Sequence, residues 1–321
     1  MGFFYLTGHD VPDALVGRVL EVARKLFELR QADKDAVAMV RSPHFRGYTR
    51  LGGELTRGEV DWREQIDIGP ERPSIGGPGK PDYLWLQGPN QWPAALPELP
   101  GIVGEWDSAL SSVARTLLRH WAASLGSSPD VFDSAFAETP ATLIKIVRYP
   151  ARAASPQGVG AHRDSGVLTL LLAQPGSRGL QVRRDLQSDP SADPAADPVE
   201  GWIDVPPRDG AFIVNIGELL EVATGGYLRA TQHRVNLHGP ASEKISERIS
   251  VPYFFNPRLD AQIPVLWLPS ELRALAARTG TNWTPTEDPS DPIFSVYGRN
   301  AWKSRLRAHP DVAAAHGYSA G

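Results

Sequence analysis

The chain opens on an apolar run, Phe3-Phe4-Tyr5-Leu6, and then changes to a spacing of three and four. Leu15, Val16, Val19, Leu20, Ala23, Leu26 and Phe27 follow Pro12-Asp13 on one side of a 3.6-residue repeat. The pattern predicts a short buried strand, then a helix to about residue 32. Residues 41–82 are rich in Gly, Arg and Pro, show no period, and read as long irregular structure. Leu110, Val113, Leu117, Leu118 and Trp121 predict a second helix over about 101–125, ended by Gly126.

From residue 141 the texture changes to short β-rich runs. Strands are expected at 142–149, 167–172, 180–182, 202–205, 211–216, 228–235, 249–255 and 263–266. Helices return at about 270–278, where Ser270 can cap, and near 300–315. Many short strands separated by turn residues imply a sandwich or barrel, and a jelly roll solves the sheet-edge problem with two facing sheets. The expected fold is mainly β with flanking α-helices. One domain over 1–321 is expected: a helical and irregular part (1–140), a β core (141–267) and a helical end (268–321). Ser188–Glu200, with Asp-Pro three times, reads as an inert, solvated hairpin tip, with an active-site lid as the alternative.

Composition removes several classes of function. The formal charge of −4 and pI near 6.1 supply no basic field, so nucleic acid is not an expected partner. There is no cysteine, so disulfides, Zn-thiolate sites, iron–sulfur clusters and Cys nucleophiles are excluded, and a cytoplasmic location fits. No apolar run approaches the roughly 20 residues that span a bilayer, and the first residues lack the basic region of a signal peptide. Leu6 stands where N-myristoylation wants Ser or Thr.

Candidate chemistry lies in three places. In Gly158-Val-Gly-Ala-His162-Arg-Asp164, His162 and Asp164 are two apart, so on one strand they share a face. His233, in the strand-like run Thr231-Gln-His-Arg-Val, completes a two-His-one-carboxylate set suited to Fe(II) with open positions. Arg248 and Ser250 are again two apart, and Arg matches a carboxylate in a planar, bidentate way. Each feature alone has a plainer reading: a chance His-x-Asp, an ordinary strand histidine, a surface ion pair worth little. The remaining histidines look ordinary, His44 as an exposed loop residue and His120 and His309 as positions where Gln is close to neutral.

Taken in order, these segments resemble the isopenicillin N synthase-like branch of the Fe(II)/2-oxoglutarate-dependent oxygenases. The resemblance runs through Gly2-Phe-Phe-Tyr-Leu-Thr-Gly-His, Lys145-Ile-Val-Arg-Tyr-Pro150, His162-Arg-Asp164, Asn215-Ile-Gly-Glu, Thr231-Gln-His233-Arg and Arg248-Ile-Ser250. It implies a double-stranded β-helix, iron held by His162, Asp164 and His233, and 2-oxoglutarate held by Arg248 and Ser250 with help from Tyr149. It implies Phe254 and Asn256 as lining of a substrate pocket, closed by Arg46 and Tyr48 from the irregular part. The branch often has Asn where Val147 stands, and Lys145 is expected to be a solvated strand-end residue. A further strand that usually precedes the first segment is missing, so either the start is shifted or the core lacks an edge element.

The activity implied is oxidation, chiefly hydroxylation, of a small molecule's C–H bond, using O2 and releasing succinate and CO2. A 2-oxoglutarate-independent oxidase of isopenicillin N synthase type and a non-catalytic jelly-roll binding protein are the alternatives. A small-molecule partner, no membrane and a plausible monomer complete the expectation.

Overall fold

A computed structural model describes residues 2–151, 154–183, 201–237, 247–278 and 292–319. The expected Asp-Pro-rich hairpin tip at 188–200 lies outside these residues. Amphipathic helix α1 (Asp13–Glu28) buries Leu15, Val19, Ala23 and Leu26, as its spacing dictates. A five-residue helix, α2 (Gln31–Asp35), follows. The long helix α3 (Leu99–Ser124) buries Val103, Trp106, Leu110, Ala114 and Leu118 and packs beside α1.

The β structure forms two facing sheets. The larger has the order β1 (Phe3–Leu6), β11 (Phe212–Ile216), β8 (Leu168–Ala173), β13 (Arg248–Phe255), β6 (Leu143–Tyr149), β5 (Glu64–Ile68), β2 (Gly47–Thr49). The smaller runs β10 (Trp202–Asp204), β9 (Leu180–Arg183), β12 (His233–Asn236), β7 (Gln157–His162). All the pairings are antiparallel. Alternation divides the large sheet cleanly. Ile66, Ile146, Leu170, Val251, Tyr253 and Phe255 face α1 and α3 in the main core. Val147, Tyr149, Leu171, Ala173 and Ile213 face inward and meet Val159, Leu180 and Val235 of the small sheet. This is the double-stranded β-helix of the sequence expectation.

The region read as irregular contains four short strands. Besides β2 and β5, a hairpin of β3 (Glu54–Thr56) and β4 (Glu59–Asp61) docks on β7. Its strands are three residues long, too short for alternation to show. Of the pair expected on one strand, β7 holds His162; Gly158 lies against Tyr149, Val235 and Leu237, and Gly160 against Thr56, where no side chain fits. The run at 263–266 is not a strand; only Gln262 makes an isolated bridge, to Val296. The run at 228–235 becomes strand only from His233. Pro310 splits the C-terminal helix into α6 (Tyr297–Ala308) and α7 (Pro310–His316), and α5 covers Ser270–Arg278. Between β11 and β12 lies α4 (Glu218–Ala223).

Candidate metal centre and 2-oxoglutarate slot

His162 ends β7 and His233 begins β12, and the two are opposed in register with ring centroids 4.3 Å apart. Asp164 is not on that strand, contrary to the shared-face argument. The strand stops at His162, and Asp164 sits in the loop leading to β8. Other contacts hold it there. Thr169 Oγ1 and Asn215 Nδ2 both donate to Asp164 Oδ2, at 2.5 and 2.7 Å. Its backbone carbonyl accepts from Glu218 N at the start of α4 (2.8 Å). Gly217 permits this approach: a Cβ there would lie 2.1 Å from Gly166 O.

With Oδ2 occupied, Oδ1 is left toward the histidines, 3.5 Å from His162 Nε2 and 3.7 Å from His233 Nε2. Each ring is oriented from behind. Nδ1 of His162 lies 2.8 Å from Gly160 O, and Nδ1 of His233 lies 3.2 Å from Thr231 O. A proton on Nδ1 satisfies those carbonyls and leaves each Nε2 lone pair for a metal. Ligand atoms of the three residues lie within 4.8 Å of one another, and no other group of three potential ligands gathers this way among the described residues.

Electrostatics agrees with the ligand roles. Burial opposes ionisation of Asp164, but the His162 hydrogen bond and the His233 and His162 charges outweigh it and hold the carboxyl well below its ordinary range. Burial and the neighbouring His162 push His233 down to about 4, against the pull of Asp164. Burial also opposes protonation of His162, but Asp164 overrides it and the shift is upward. An anionic carboxylate between two imidazoles is a donor set that fits Fe(II).

The inward face of β13 supplies the second half of the site. Arg248 is paired with Tyr149 across the ladder, its Cζ 5.0 Å from that ring's centroid. It is 2% exposed, and neither Nε nor Nη1 has a hydrogen-bond partner. Ser250, also 2% exposed, is two residues along on the same face. Burial lowers the Arg248 pKa, only partly offset by Tyr149. A buried guanidinium with two bare donors is costly unless an anion meets it. The residues therefore fit 2-oxoglutarate.

The outer candidates divide. Phe254 shares the inward face of β13, opposite Thr169. Asn256 is buried, its Oδ1 against the Gly166 backbone beside the Asp164 loop. Arg46 is buried, lying flat on Gly69 with Nη2 donating to Leu86 O (2.8 Å). Tyr48 is a correction: it pairs with Ile66 on the face turned to the helices, donates to Glu64 Oε2 (2.5 Å) and lies under Lys34. Alternation along β2 turns it away from the interior, so it cannot close a pocket there.

Lys145 is also corrected. It lies on the inward face opposite Asp67 and ion-pairs with Glu54 (2.8 Å) and Asp67 (3.3 Å). Neither His309 nor His44 is an ordinary surface residue. His309 is 1% exposed with Nε2 3.6 Å from Glu54, and His44 is buried with Nδ1 2.7 Å from Trp85 O. Thr169, Asn215 and Arg63 went unassigned in the sequence. Asn215 stood in a recognisable segment, but only the folded ladder shows what it touches.

Fold and site together define a non-haem iron oxygenase. Residues 141–257 match the 2OG-Fe(II) oxygenase superfamily, and residues 1–95 match the family described as non-haem dioxygenase in morphine synthesis N-terminal. A 2-oxoglutarate-dependent dioxygenase, frbJ, of Dothideomycetidae sp. (strain 11243) is 32% identical over 97% of this chain and 83% of its own length. Homoarginine-6-hydroxylase 2-ODD-C23 of Glycine max is 33% identical over 83% and 76%. A solved structure of a putative 2OG-Fe(II) oxygenase family protein from Caulobacter crescentus is 25% identical, with a TM-score of 0.66, covering 86% of this chain and 89% of that one. The chain belongs to the Fe(II)/2-oxoglutarate-dependent oxygenase superfamily, and it is an enzyme that uses Fe(II) and 2-oxoglutarate.

Proposed function

We propose that this enzyme hydroxylates a C–H bond of a small molecule, with His162, Asp164 and His233 as the iron ligands and Arg248 and Ser250 holding the distal carboxylate of 2-oxoglutarate. The observation that carries the reading is the Arg248 guanidinium, buried with two donors bare. When bound, the metal and 2-oxoglutarate couple O2 to oxidation of the substrate, yielding succinate and CO2. The chain's own residues do the rest. Thr169 and Asn215 aim one carboxylate oxygen at the metal position, the carbonyls of Gly160 and Thr231 fix both imidazole tautomers, and Tyr149 flanks Arg248. Burial of Arg248 strengthens its pairing with an anion.

Phe254, Asn256 and Arg46 are assigned to the substrate side. On the same proposal the chain is one cytoplasmic oxygenase domain of the isopenicillin N synthase-like branch. Relatives named homoarginine-6-hydroxylases make L-homoarginine the first compound to try in a screen of amino acids, carboxylates and phenolics. The test is succinate formation per turnover in wild type, Arg248→Lys and Arg248→Leu. A charge-assisted hydrogen bond contributes about 1.5–3 kcal/mol, so the 2-oxoglutarate KM is expected to rise at least about tenfold in Lys and further in Leu. An oxidase that grips its substrate with Arg248 predicts the reverse, with no succinate and a raised KM for the substrate alone.

A further inference from the structure

A second guanidinium stands beside the slot, delivered by the part of the chain that read as irregular. Arg63 lies between β4 and β5. The β5–β6 ladder pairs Glu64 with Arg148, so one step further Arg63 comes level with Tyr149. Glu64 faces Lys34 and Tyr48, whereas the Arg63 side chain turns to Glu54 and Asp61. Tyr149 is paired on its other side with Arg248. Arg63 therefore stands just before β5, at the level of the Tyr149–Arg248 pair.

The placement is rigidly built. Arg63 Nη2 meets Glu54 Oε2 at 3.0 Å and Asp61 Oδ2 at 3.2 Å. Asp61, with no exposed surface, also accepts from Gly160 N (3.1 Å), two residues before His162. The neighbouring Trp62 packs on the inner apolar cluster. Arg63 is 9% exposed, and its Nε is buried without a partner. The two guanidiniums feel each other: after burial and Tyr149, Arg63 is the further influence on Arg248, and it acts to lower that pKa.

We infer that Arg63 is a positioning residue for 2-oxoglutarate, a second cationic wall whose field selects a dianion over a monoanionic 2-oxo acid. This rests on the assignment of Arg248 above. Strands lie about 4.8 Å apart, so two steps across the sheet put the two arginine backbones about 10 Å apart. At an effective dielectric of about 20, a unit charge at that range changes a binding constant by roughly tenfold or more. Removing Arg63 also takes from Asp61 its cation and leaves Glu54 with Lys145, which adds negative charge on the side of Asp61.

The test is calorimetric binding to the full-length, Mn(II)-loaded protein without O2, so that no turnover is read. The probes are 2-oxoglutarate and 2-oxovalerate, which has the same length but lacks the distal carboxylate. In Arg63→Gln the 2-oxoglutarate Kd is expected to rise about tenfold or more while that of 2-oxovalerate moves less than about threefold. Arg63→Lys keeps the charge and should hold the wild-type preference. Equal weakening of both probes in Arg63→Gln marks a structural role only and overturns the inference, as does an unchanged preference. If Arg63→Gln fails to fold, Arg63→Lys decides by the same ratio: a retained preference supports the inference and a collapsed one overturns it. Arg248→Leu in the same assay reads the underlying assignment separately, since undiminished 2-oxoglutarate binding there sinks that assignment whatever Arg63 does.

Discussion

At the proposed metal centre, Asp164 is positioned by groups outside the ligand set. Its Oδ2 is held by Thr169 and Asn215, so Oδ1 is the oxygen left to face His162 and His233. Loss of such supporting contacts generally costs 10–100-fold in metal affinity. Asn215→Ala is expected to weaken Mn(II) or Fe(II) binding by about that factor, with far-UV circular dichroism unchanged. His162→Ala, Asp164→Ala and His233→Ala should each abolish turnover and weaken metal binding further, and wild-type activity in any of them removes that residue from the centre. The shared face of Arg248 and Ser250 was legible because both lie on one strand, whereas Asp164 lies in a loop, where a spacing of two fixes nothing and only residue type and the order of the motifs pointed to it. The roles of Asn215, Arg63 and Lys145 were not legible, because each partner comes from a segment remote in sequence.

The elements tell the same story by length. Helices α1 and α3 run for four turns or more, so their apolar stripes repeat often enough to read. Strands β2, β3 and β4 have three residues each, and β5 buries Glu64, Gln65 and Asp67 alongside isoleucines, so polarity hides its burial. Strand β7 carries glycines that serve packing, Gly158 against Tyr149 and Val235 and Gly160 against Thr56. The junction of β11 and α4 is the most constrained of these. Gly217→Ala would drive a methyl onto Gly166 O and within 3.1 Å of Asp164 O, both backbone atoms that cannot swing aside. A cost of about 1–3 kcal/mol is expected, seen as a lowered urea midpoint, together with weaker metal binding because the Asp164 loop must move.

Across the whole molecule, the interior carries charge to an unusual degree, and that makes stability depend on pH. Burial drives His309 down to about 4, with Lys145 and Arg305 adding to it and Glu54 and Asp67 opposing. Below its ordinary value of 6.5 the unfolded chain binds a proton that folded His309 refuses, so this contribution is lost as pH falls from 6.5 toward 4. His309→Gln should flatten the slope of stability against pH between about 6.5 and 5 by up to roughly 1.4 kcal/mol per pH unit, read from denaturation midpoints. An identical slope in variant and wild type would remove His309 as the source. Ligands act in the opposite sense. Mn(II) with 2-oxoglutarate at about 100 times Kd should stabilise by about 2.7 kcal/mol, raising Tm in wild type but not in Asp164→Ala.

The pairing of His162 with His233 across a single ladder position has a kinetic meaning. The two strands are separated by roughly seventy residues of chain, so bringing them together waits on long loop closure. Neither imidazole pair nor carboxylate exists as a chelate until β7, β12 and the β8–β11 ladder beneath Asp164 have all zipped. Metal capture therefore acts as a clock for refolding: it should appear in step with the slowest phase, and a chain that has bound its metal has already closed the barrel.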